Sequence, residues 1–562
     1  MLKRLMLMIV MTTVAYAGNA DKIKDLSQQY INRRAQFYPV WATSIGIYDY
    51  DSLYTDYSAE SVFKYRNDIS IYLHDLMRID TTGLSADELI DYKLLKSDIE
   101  KDEFFLATFP LYERSAALYM QEPLDGIYYL LIDKTRTIKE KAPFLMERIR
   151  NVGDFIEQRW PYQYQFAPIY YRSAEEMVDG GISLVEQASR LVIDAVSEDS
   201  ARYMARYMQN AIGDMQSFKT FCEIENENIS GTNVIGKDNL NYLLHHVYFL
   251  DVDSDSLKKI GWTWYNIANA RMDSLQKLTD SQPRDENATS DINWKLTKDD
   301  ILDYYQNEIN ATGKFFEDNN IVTIPEYVGA CVPVEMPEFM RALHKGIAYQ
   351  PPAPFSSDQT GYFYVRPIPD LDTTAIIKYS NMINDHGFKG SCVHEGIPGH
   401  HLQLSIANHN KSNLRKIQDN TMMAEGWALY CEQMAMEQGL YNGDNDILAR
   451  WEGVWGGIRF RAVRVIVDCS LAEGSMTPDS ALTFMNAMLG DHTDYYKAEI
   501  RRYCENPTSA LSYLTGKLII LDMLDKARQK EGKSFSLKKF HDSILAEGTI
   551  PPVLIAQKLG YK

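Results

Sequence analysis

The sequence has few residues that interrupt regular structure and few that form disulfides. It contains 31 glycines and 20 prolines among 562 residues, about 9%, against about 12% in average proteins. This scarcity favours long helices, because both residues are poor helix formers. Six cysteines are present and none belongs to a C-x-x-C pair, which argues against a thiolate zinc site. Buried free thiols are the simplest interpretation, although the sequence leaves disulfide pairing open.

Positive charge is also scarce. The chain has 58 lysines and arginines against 77 aspartates and glutamates, a net charge of −19. Such a protein is a poor binder of nucleic acid, whose phosphates need basic side chains to displace counterions. No nucleic-acid partner is therefore expected.

The first 17 residues are typical of a signal peptide. Lys3 and Arg4 precede a short apolar run from Leu5 to Val14, and Ala15-Tyr16-Ala17 offers small residues to a signal peptidase. The run is too short for a membrane span, and no later run of 18 apolar residues occurs. An uncleaved membrane anchor is the alternative. A lipid anchor is disfavoured, because no cysteine lies beside the predicted cleavage site. We expect a periplasmic or secreted protein, with no membrane span after cleavage and a charge that changes from −19 to −21 when Lys3 and Arg4 leave.

The remaining chain predicts two regions, 18–280 and 281–562. Apolar residues follow helical spacing within 86–100 and 201–221, so the N-terminal region is expected to be helical. The polar stretch 280–293, which contains Pro283, is the predicted boundary. In the second region, residues 361–366 alternate between two faces and predict a short strand, whereas 508–530 predicts a long helix that Gly532 ends.

The most informative stretch is His394-Glu-Gly-Ile-Pro-Gly-His-His-Leu-Gln403, the first motif. A zinc hydrolase needs imidazoles to hold the metal and a carboxylate to accept a proton from water. The usual H-E-x-x-H spacing fails, because residue 398 is proline. On a straight helix His400 lies at about 240° around the axis from His394, and His401 lies about 10.5 Å along it. Pro398 predicts a break that returns one of them to the metal, and the spacing leaves open which one.

The second motif is Ala424-Glu-Gly-Trp-Ala-Leu-Tyr-Cys-Glu432. Glu425 and Glu432 lie two turns apart on one helix face, so one can bind metal while the other supports it. Taken alone, either motif is more typical of ordinary paired carboxylates and chance histidines. Their combination behind a signal peptide favours a metal site.

Both motifs resemble the signatures of a large bacterial family filed as domain of unknown function 885, which is mostly secreted or lipid-anchored. Arg502-Tyr503, Pro507 and Ala510-Leu-Ser-Tyr513 agree with the same family. The family is similar in design to helical gluzincin peptidases such as carboxypeptidase Taq and thimet oligopeptidase.

The resemblance implies a mainly α fold, with a large helical gluzincin-like body, a deep groove and a short β element near the active site. It implies one Zn²⁺ ion on His394, His400 and Glu425, with Glu395 as general base. His400 is favoured over His401, which is expected to support the ligands or face the substrate, and Glu432 is expected to support the ligands. The candidate oxyanion donors are Tyr503 and Tyr513. The candidate substrate-binding residues are Tyr362, Tyr364 and Arg502. The strand at 361–366 is expected to pair with an extended peptide at its edge.

These features predict a zinc-dependent metallopeptidase that hydrolyses short peptides. The alternative is a non-catalytic peptide-binding protein that retains a structural metal site, and a metal-independent helical scaffold is the least favoured interpretation. The sequence does not determine the mode of cleavage, the side-chain preference or the oligomeric state.

Overall fold

The computed structural model describes residues 2–225, 231–281, 298–341, 347–366, 388–442 and 447–562. Side chains are described from residue 18 onward, except those of residues 225, 281, 298–300, 388, 447, 449 and 450. The chain is mainly helical, as predicted. The helices up to residue 318 are Leu2–Phe37, Pro39–Ser44, Ala59–Met77, Ala86–Glu103, Leu118–Ile132, Ile138–Arg150, Val152–Glu157, Pro168–Ala195, Glu198–Glu225, Lys237–His246, Ser254–Ser281 and Lys298–Asp318. Short π or 3₁₀ turns lie at Phe104–Thr108, Leu111–Glu113 and Gln163–Gln165.

Helices dominate again after the strands. They are Phe388–Ser391, His400–Ala407, Asn413–Lys416, Thr421–Glu437, Ile447–Glu473, Pro478–Leu489, Thr493–Glu505, Ser509–Glu531, Leu537–Leu545 and Pro552–Leu559. Other turns are the π turn Cys392–Gly396 and the 3₁₀ turns Glu338–Arg341 and Gly532–Ser534. The helices predicted within 86–100, 201–221 and 508–530 are present, and Gly532 follows the last of them with a φ of +55°.

Local sequence explains where several helices begin. Ser85 accepts a hydrogen bond from the Glu88 amide, and the Glu88 side chain accepts one from the Ser85 amide, which forms a capping box. Asn420 caps Thr421–Glu437, because its side chain accepts from the Met423 amide at 3.1 Å. This cap fixes the start of the helix that carries the second motif.

In the described part of the chain, three short strands form one sheet: β1 (Cys331–Glu335), β2 (Ala348–Gln350) and β3 (Gly361–Val365). The strand predicted at 361–366 is therefore confirmed. However, β3 is central, since it pairs with β1 in parallel and with β2 in antiparallel fashion. The predicted pairing of a peptide with this strand is wrong, because both of its edges are already hydrogen-bonded.

The two predicted regions share one hydrophobic core, which runs from Ile23 to Tyr561. Helix Ser254–Ser281 packs along Ile447–Glu473, and Lys258 pairs with Glu473 at that contact. The polar stretch proposed as a boundary falls largely on residues 282–297, which lie outside the described residues.

Two facing glycines bring the second-motif helix, Thr421–Glu437, close to helix Ser509–Glu531. A Cβ on Gly516 would lie 1.8 Å from the Met422 carbonyl oxygen, and one on Gly426 would lie 2.5 Å from the Gly516 carbonyl carbon. Any larger residue would push the helices apart. This contact sets Tyr513, on the second helix, near Glu425 on the first.

All six cysteines are buried and none forms a disulfide: Cys222, Cys331, Cys392, Cys431, Cys469 and Cys504. Burial raises the pKa of each thiol, so none is a reactive thiolate at neutral pH. Within the described part of the chain, no helix has the length and apolar character needed to cross a membrane. The signal peptide remains a prediction.

Candidate metal centre

The first motif does not form a continuous helix. A π turn at Cys392–Gly396 ends the first segment, and a new helix begins at His400. Gly399 makes this possible, because a Cβ there would lie 1.9 Å from the His394 carbonyl oxygen and 2.3 Å from that of Val393. The break predicted around Pro398 is confirmed, and it folds the chain back so that His400 approaches His394.

The second motif lies on helix Thr421–Glu437 and contacts the first directly. The Trp427 indole is completely buried and its Nε1 donates a hydrogen bond to the Pro398 carbonyl at 2.8 Å. The large side chain and its single polar bond fix the position of the break relative to the helix. Trp427 belongs to the quoted motif, but sequence analysis assigned it no role.

The three predicted metal ligands come together. Glu425 Oε2 lies 3.4 Å from His394 Nε2 and 3.3 Å from His400 Nε2, and the ligand atoms of all three residues lie within 4.8 Å of one another. Bonds of about 2.0–2.1 Å from a tetrahedral zinc to its ligands separate those ligand atoms by about 3.3–3.4 Å. The spacing from Glu425 to each imidazole therefore fits zinc.

The charges in this cluster also fit a bound cation. Glu425 Oε2 is buried and has no hydrogen-bond partner of good geometry. Burial alone would lower the pKa of His394, but the neighbouring carboxylates of Glu425 and Glu432 outweigh burial and raise it to about 10. Burial opposes the charge on Glu425, yet both histidines hold its pKa well below the usual range. Without a metal, Glu425 and Glu432 thus stabilise a proton on His394, at the place that a bound cation would occupy.

Glu432 supports His394 from behind. Its Oε1 lies 2.7 Å from His394 Nδ1, so this nitrogen donates to the carboxylate and Nε2 is directed into the cluster. Glu432 also lies 3.9 Å from Arg461. This arrangement is the carboxylate–histidine pair that orients imidazole ligands at metal sites.

Glu395 lies beside the three ligands without joining them. Its Oε2 is 3.9 Å from His400 Nε2, and its side chain is 14% exposed. Burial raises its pKa, although both neighbouring histidines oppose that rise. A carboxylate whose pKa is raised toward neutrality is suited to accept and return a proton.

Comparison with known proteins agrees with the motifs. Residues 39–559 match the family described as "Bacterial protein of unknown function (DUF885)". The chain belongs to this family. Comparison with curated proteins gives no match.

Two solved structures have the same fold as this DUF885 protein. One is described as a "putative lipoprotein of unknown function" from Shewanella oneidensis, with 19% identity, a TM-score of 0.76 and coverage of 96% of this chain and 99% of that chain. The other is described as a "putative lipoprotein" from Colwellia psychrerythraea, with 18% identity, a TM-score of 0.77 and coverage of 97% and 99%.

In this DUF885 chain, His401 is directed away from the ligands. It is fully buried, its Nε2 donates to the Gly329 carbonyl at 2.9 Å, and its Nδ1 accepts from the Tyr349 hydroxyl at 2.8 Å. Burial lowers its pKa to about 4, so the ring is neutral. The expected role beside the ligands or facing the substrate is wrong, because both nitrogens are committed elsewhere. His401 instead holds Tyr349, whose ring lies parallel to that of His400 at 6.5 Å.

Tyr503 is also committed to other partners. Its hydroxyl donates to Glu499 at 2.7 Å and accepts from Arg464 at 2.8 Å, and the side chain is 1% exposed. The predicted role as an oxyanion donor is wrong, since its proton is already in a buried hydrogen bond. Arg502, a predicted substrate contact, pairs with the same Glu499 at 3.0 Å and remains partly exposed.

Tyr513 remains a candidate oxyanion donor. Burial, and then the charge of Glu425, raise the pKa of its phenol to about 12, so it keeps its proton at neutral pH. The Arg464 guanidinium lies 4.8 Å from its ring centroid. Tyr513 thus places a protonated hydroxyl group near a metal ligand.

The two tyrosines of β3 do not face the ligand cluster. Phe363, between them, packs in a small core with Cys392, two residues before the first motif, so Tyr362 and Tyr364 occupy the opposite face of the sheet. Tyr364 is buried with its ring centroid 6.4 Å from that of Tyr128, and Lys134 lies 4.8 Å from the Tyr362 ring. Their predicted contact with a substrate stays a prediction.

Proposed function

We propose that this protein is a zinc-dependent metallopeptidase that acts on short peptides outside the cytoplasm. The observation that carries the proposal is the position of Glu425, 3.4 Å from His394 and 3.3 Å from His400 as zinc requires, with Glu395 beside them. One break in the first motif and one helix of the second create this arrangement.

A zinc ion held by these three residues would lower the pKa of a water molecule and polarise a peptide carbonyl. Glu395 would accept a proton from the attacking water and later pass it to the leaving amine. Tyr513 would donate a hydrogen bond to the carbonyl oxygen as it gains negative charge. Glu432 would keep His394 in the tautomer that presents Nε2.

Among the described residues three potential ligands come together, and this number favours catalysis over a structural metal site. Structural zinc sites use four protein ligands, whereas catalytic sites use three and leave one position for water or substrate. His401, the neighbouring residue that could have closed the site, is bonded to Tyr349 and Gly329. A structural site needs no general base. Glu395, whose pKa is raised and which lies beside the ligands, therefore also favours catalysis.

The proposed location rests on the N-terminal sequence and on the relatives. Residues 1–17 have the pattern of a signal peptide. Both solved structures are described as a "putative lipoprotein", which supports an extracytoplasmic location. The preference for short peptides follows from the resemblance to helical gluzincins, whose metal lies in a groove.

Zinc content and turnover together test the proposal. Purified protein is expected to contain about one zinc per chain and to cleave members of a mixed peptide library, with products identified by mass spectrometry. Stoichiometric zinc without any cleavage would favour the peptide-binding alternative. Absence of zinc after reconstitution would contradict both.

A further inference from the structure

Helix Ile447–Glu473 carries an arginine that lies beside the metal centre and lacks a hydrogen-bond partner. Arg461 Nε is fully buried and bonds to no described residue, although the side chain as a whole is 21% exposed. Its carboxylate neighbour, Glu432, lies 3.9 Å from Nη2, which exceeds hydrogen-bond distance. Glu432 is instead bonded to His394 at 2.7 Å. The donors of Arg461 are therefore available to a ligand.

Aromatic rings and a glycine fix where the Arg461 guanidinium lies. Its central carbon is 5.7 Å from the ring centroid of Tyr513 and 5.8 Å from that of Phe460. A Cβ on Gly457, one turn earlier on the same helix, would lie 3.4 Å from Arg461 Nη1, so the absence of a side chain there leaves room for the guanidinium. Tyr513 is the candidate oxyanion donor. The guanidinium thus lies beside the ring that would contact a peptide carbonyl.

Positive charge exceeds negative charge around Tyr513. Arg464 lies 4.8 Å from the ring centroid, and both Arg464 and Arg502 donate to one carboxylate, that of Glu499. One acid thus serves two arginines, and Arg461 has no hydrogen-bonded acid of its own. This part of the molecule is basic, although the whole chain has a net charge of −19. A surplus of arginines in a partly buried place attracts an anion.

The acids of the metal centre do not cancel this surplus. Glu425 lies 3.4 Å from His394 and 3.3 Å from His400, and Glu432 is bonded to His394. Both carboxylates are therefore paired with imidazoles. A bound metal cation would add further positive charge to the same region.

A carboxylate suits the free donors of Arg461. A guanidinium presents parallel N–H groups that match the two oxygens of a carboxylate, and such charge-assisted pairs are stronger than neutral hydrogen bonds. One residue of extended peptide spans about 3.3–3.6 Å. A carboxylate one or two residues beyond a carbonyl bound at Tyr513 is thus within reach of a guanidinium that lies 5.7 Å from that ring.

We propose that Arg461 binds a carboxylate of the substrate, either the C-terminal carboxylate of a peptide or the side chain of an aspartate or glutamate residue. The identification of the ligand as a peptide rests on the proposed function, whereas carboxylate binding by Arg461 does not. In the first case the protein removes one or two residues from the C-terminus. In the second case it cleaves beside acidic residues.

Calorimetry on the full chain carrying Glu395→Gln tests the site without hydrolysis. The probes are N-acetyl-trialanine with a free C-terminal carboxylate, the same peptide as its C-terminal amide, and an N-acetyl-Ala-Asp-Ala amide whose only carboxylate is a side chain. At least about tenfold tighter binding of either acid than of the trialanine amide supports the proposal and identifies the source of the carboxylate. Equal binding of all three, or no binding, overturns it.

Two glutamine variants locate the binding. Arg461→Gln removes the guanidinium, so the acid and the amide should bind within about threefold of each other. Arg459→Gln is the matched control, because Arg459 lies on the same helix and donates to Asn269 at 3.4 Å, and this variant should keep the full preference. A folded Arg461→Gln protein that still prefers the acid would overturn the assignment, since the carboxylate would then bind elsewhere.

A lysine variant protects the test against loss of folding. Arg461→Lys keeps a positive charge near Glu432, but an ammonium lacks the two parallel donors of a guanidinium. The preference for the acid should therefore fall, and an unchanged preference would overturn the assignment. If neither variant folds, the wild type treated with a chelator decides. Its preference for the acid should persist, whereas a preference that disappears with the metal would contradict the role of Arg461.

A kinetic comparison separates this proposal from the proposed function. The preferred acid should exceed the corresponding amide about tenfold or more in kcat/KM, and Arg461→Gln should lose that difference. Preferential binding of carboxylates without any hydrolysis would contradict the peptidase and leave the Arg461 site standing. Hydrolysis of acids and amides at equal rates would contradict the Arg461 site and leave the peptidase standing.

Discussion

Two buried polar clusters lie close together in this protein, and they satisfy their side chains differently. Arg464, Arg502 and Tyr503 all donate to Glu499, and Arg464 also donates to the Tyr503 hydroxyl, so the carboxylate and the hydroxyl are satisfied within the cluster. Around Glu425, the atoms that face each other are two imidazole nitrogens and a carboxylate oxygen that lacks a partner of good geometry. A self-satisfied cluster stabilises the fold, whereas an incomplete one indicates a missing ligand.

The largest effect is expected from Glu425→Ala. Removing the one carboxylate ligand leaves two imidazoles, too few to hold zinc in a stable site. Stoichiometric zinc and all peptide cleavage should be lost, as elemental analysis and a peptide assay would show. If this variant retained about one zinc per chain, other residues would have to hold the metal.

Glu395→Gln should separate metal binding from turnover. The amide is nearly isosteric but cannot accept the proton, and losing a well-placed general base costs about 10²–10⁴-fold. We expect zinc content equal to that of the wild type and a kcat lower by that factor. Near-normal kcat with zinc bound would remove Glu395 from the proposed mechanism.

Tyr513→Phe compared with Tyr503→Phe tests the contrast between the clusters most sharply. Removing an oxyanion donor costs about 10²–10³-fold in kcat, so Tyr513→Phe should lower kcat while KM changes little. Tyr503→Phe removes a hydrogen bond within the satisfied cluster and should cost about 1 kcal/mol in the free energy of unfolding. Denaturant titration and steady-state kinetics on both variants would measure this, and the reverse pattern would contradict the two assignments.

Glu432→Gln should have a smaller effect. The amide can still accept from His394 Nδ1 but carries no charge, and such changes around metal ligands cost about 10–100-fold in affinity or activity. Competition with a chelator would give the zinc affinity of this variant and of the wild type. Glu437→Gln, on the same helix and one turn further on, is the control and should behave as the wild type does.

Local patterns predicted the helices, and the resemblance to the family predicted that His394, His400 and Glu425 come together. Apolar spacing defined helices such as Ala86–Glu103, and Pro398 with Gly399 defined the break. The central position of β3 could not be predicted, because β1 and β2 are very short and precede it by many residues. The partner of His401, Tyr349, lies 52 residues away and has no motif of its own.

One error could have been avoided from the sequence. Glu499 precedes Tyr503 by four residues on a helical pattern, which places the two side chains on one face. That spacing would have indicated Glu499 as a partner for the Tyr503 hydroxyl. Tyr513 lacks such a neighbour, since the residue four positions earlier is Ser509.

The zinc content of two adjacent variants, His400→Ala and His401→Ala, tests the central claim most directly. His400 Nε2 lies 3.3 Å from Glu425, whereas both nitrogens of His401 are bonded to Tyr349 and Gly329. Elemental analysis of the purified proteins should find no stoichiometric zinc in His400→Ala and about one zinc per chain in His401→Ala. Loss of zinc from folded His401→Ala with retention in His400→Ala would contradict the ligand assignment, and retention in both would contradict the metal site itself.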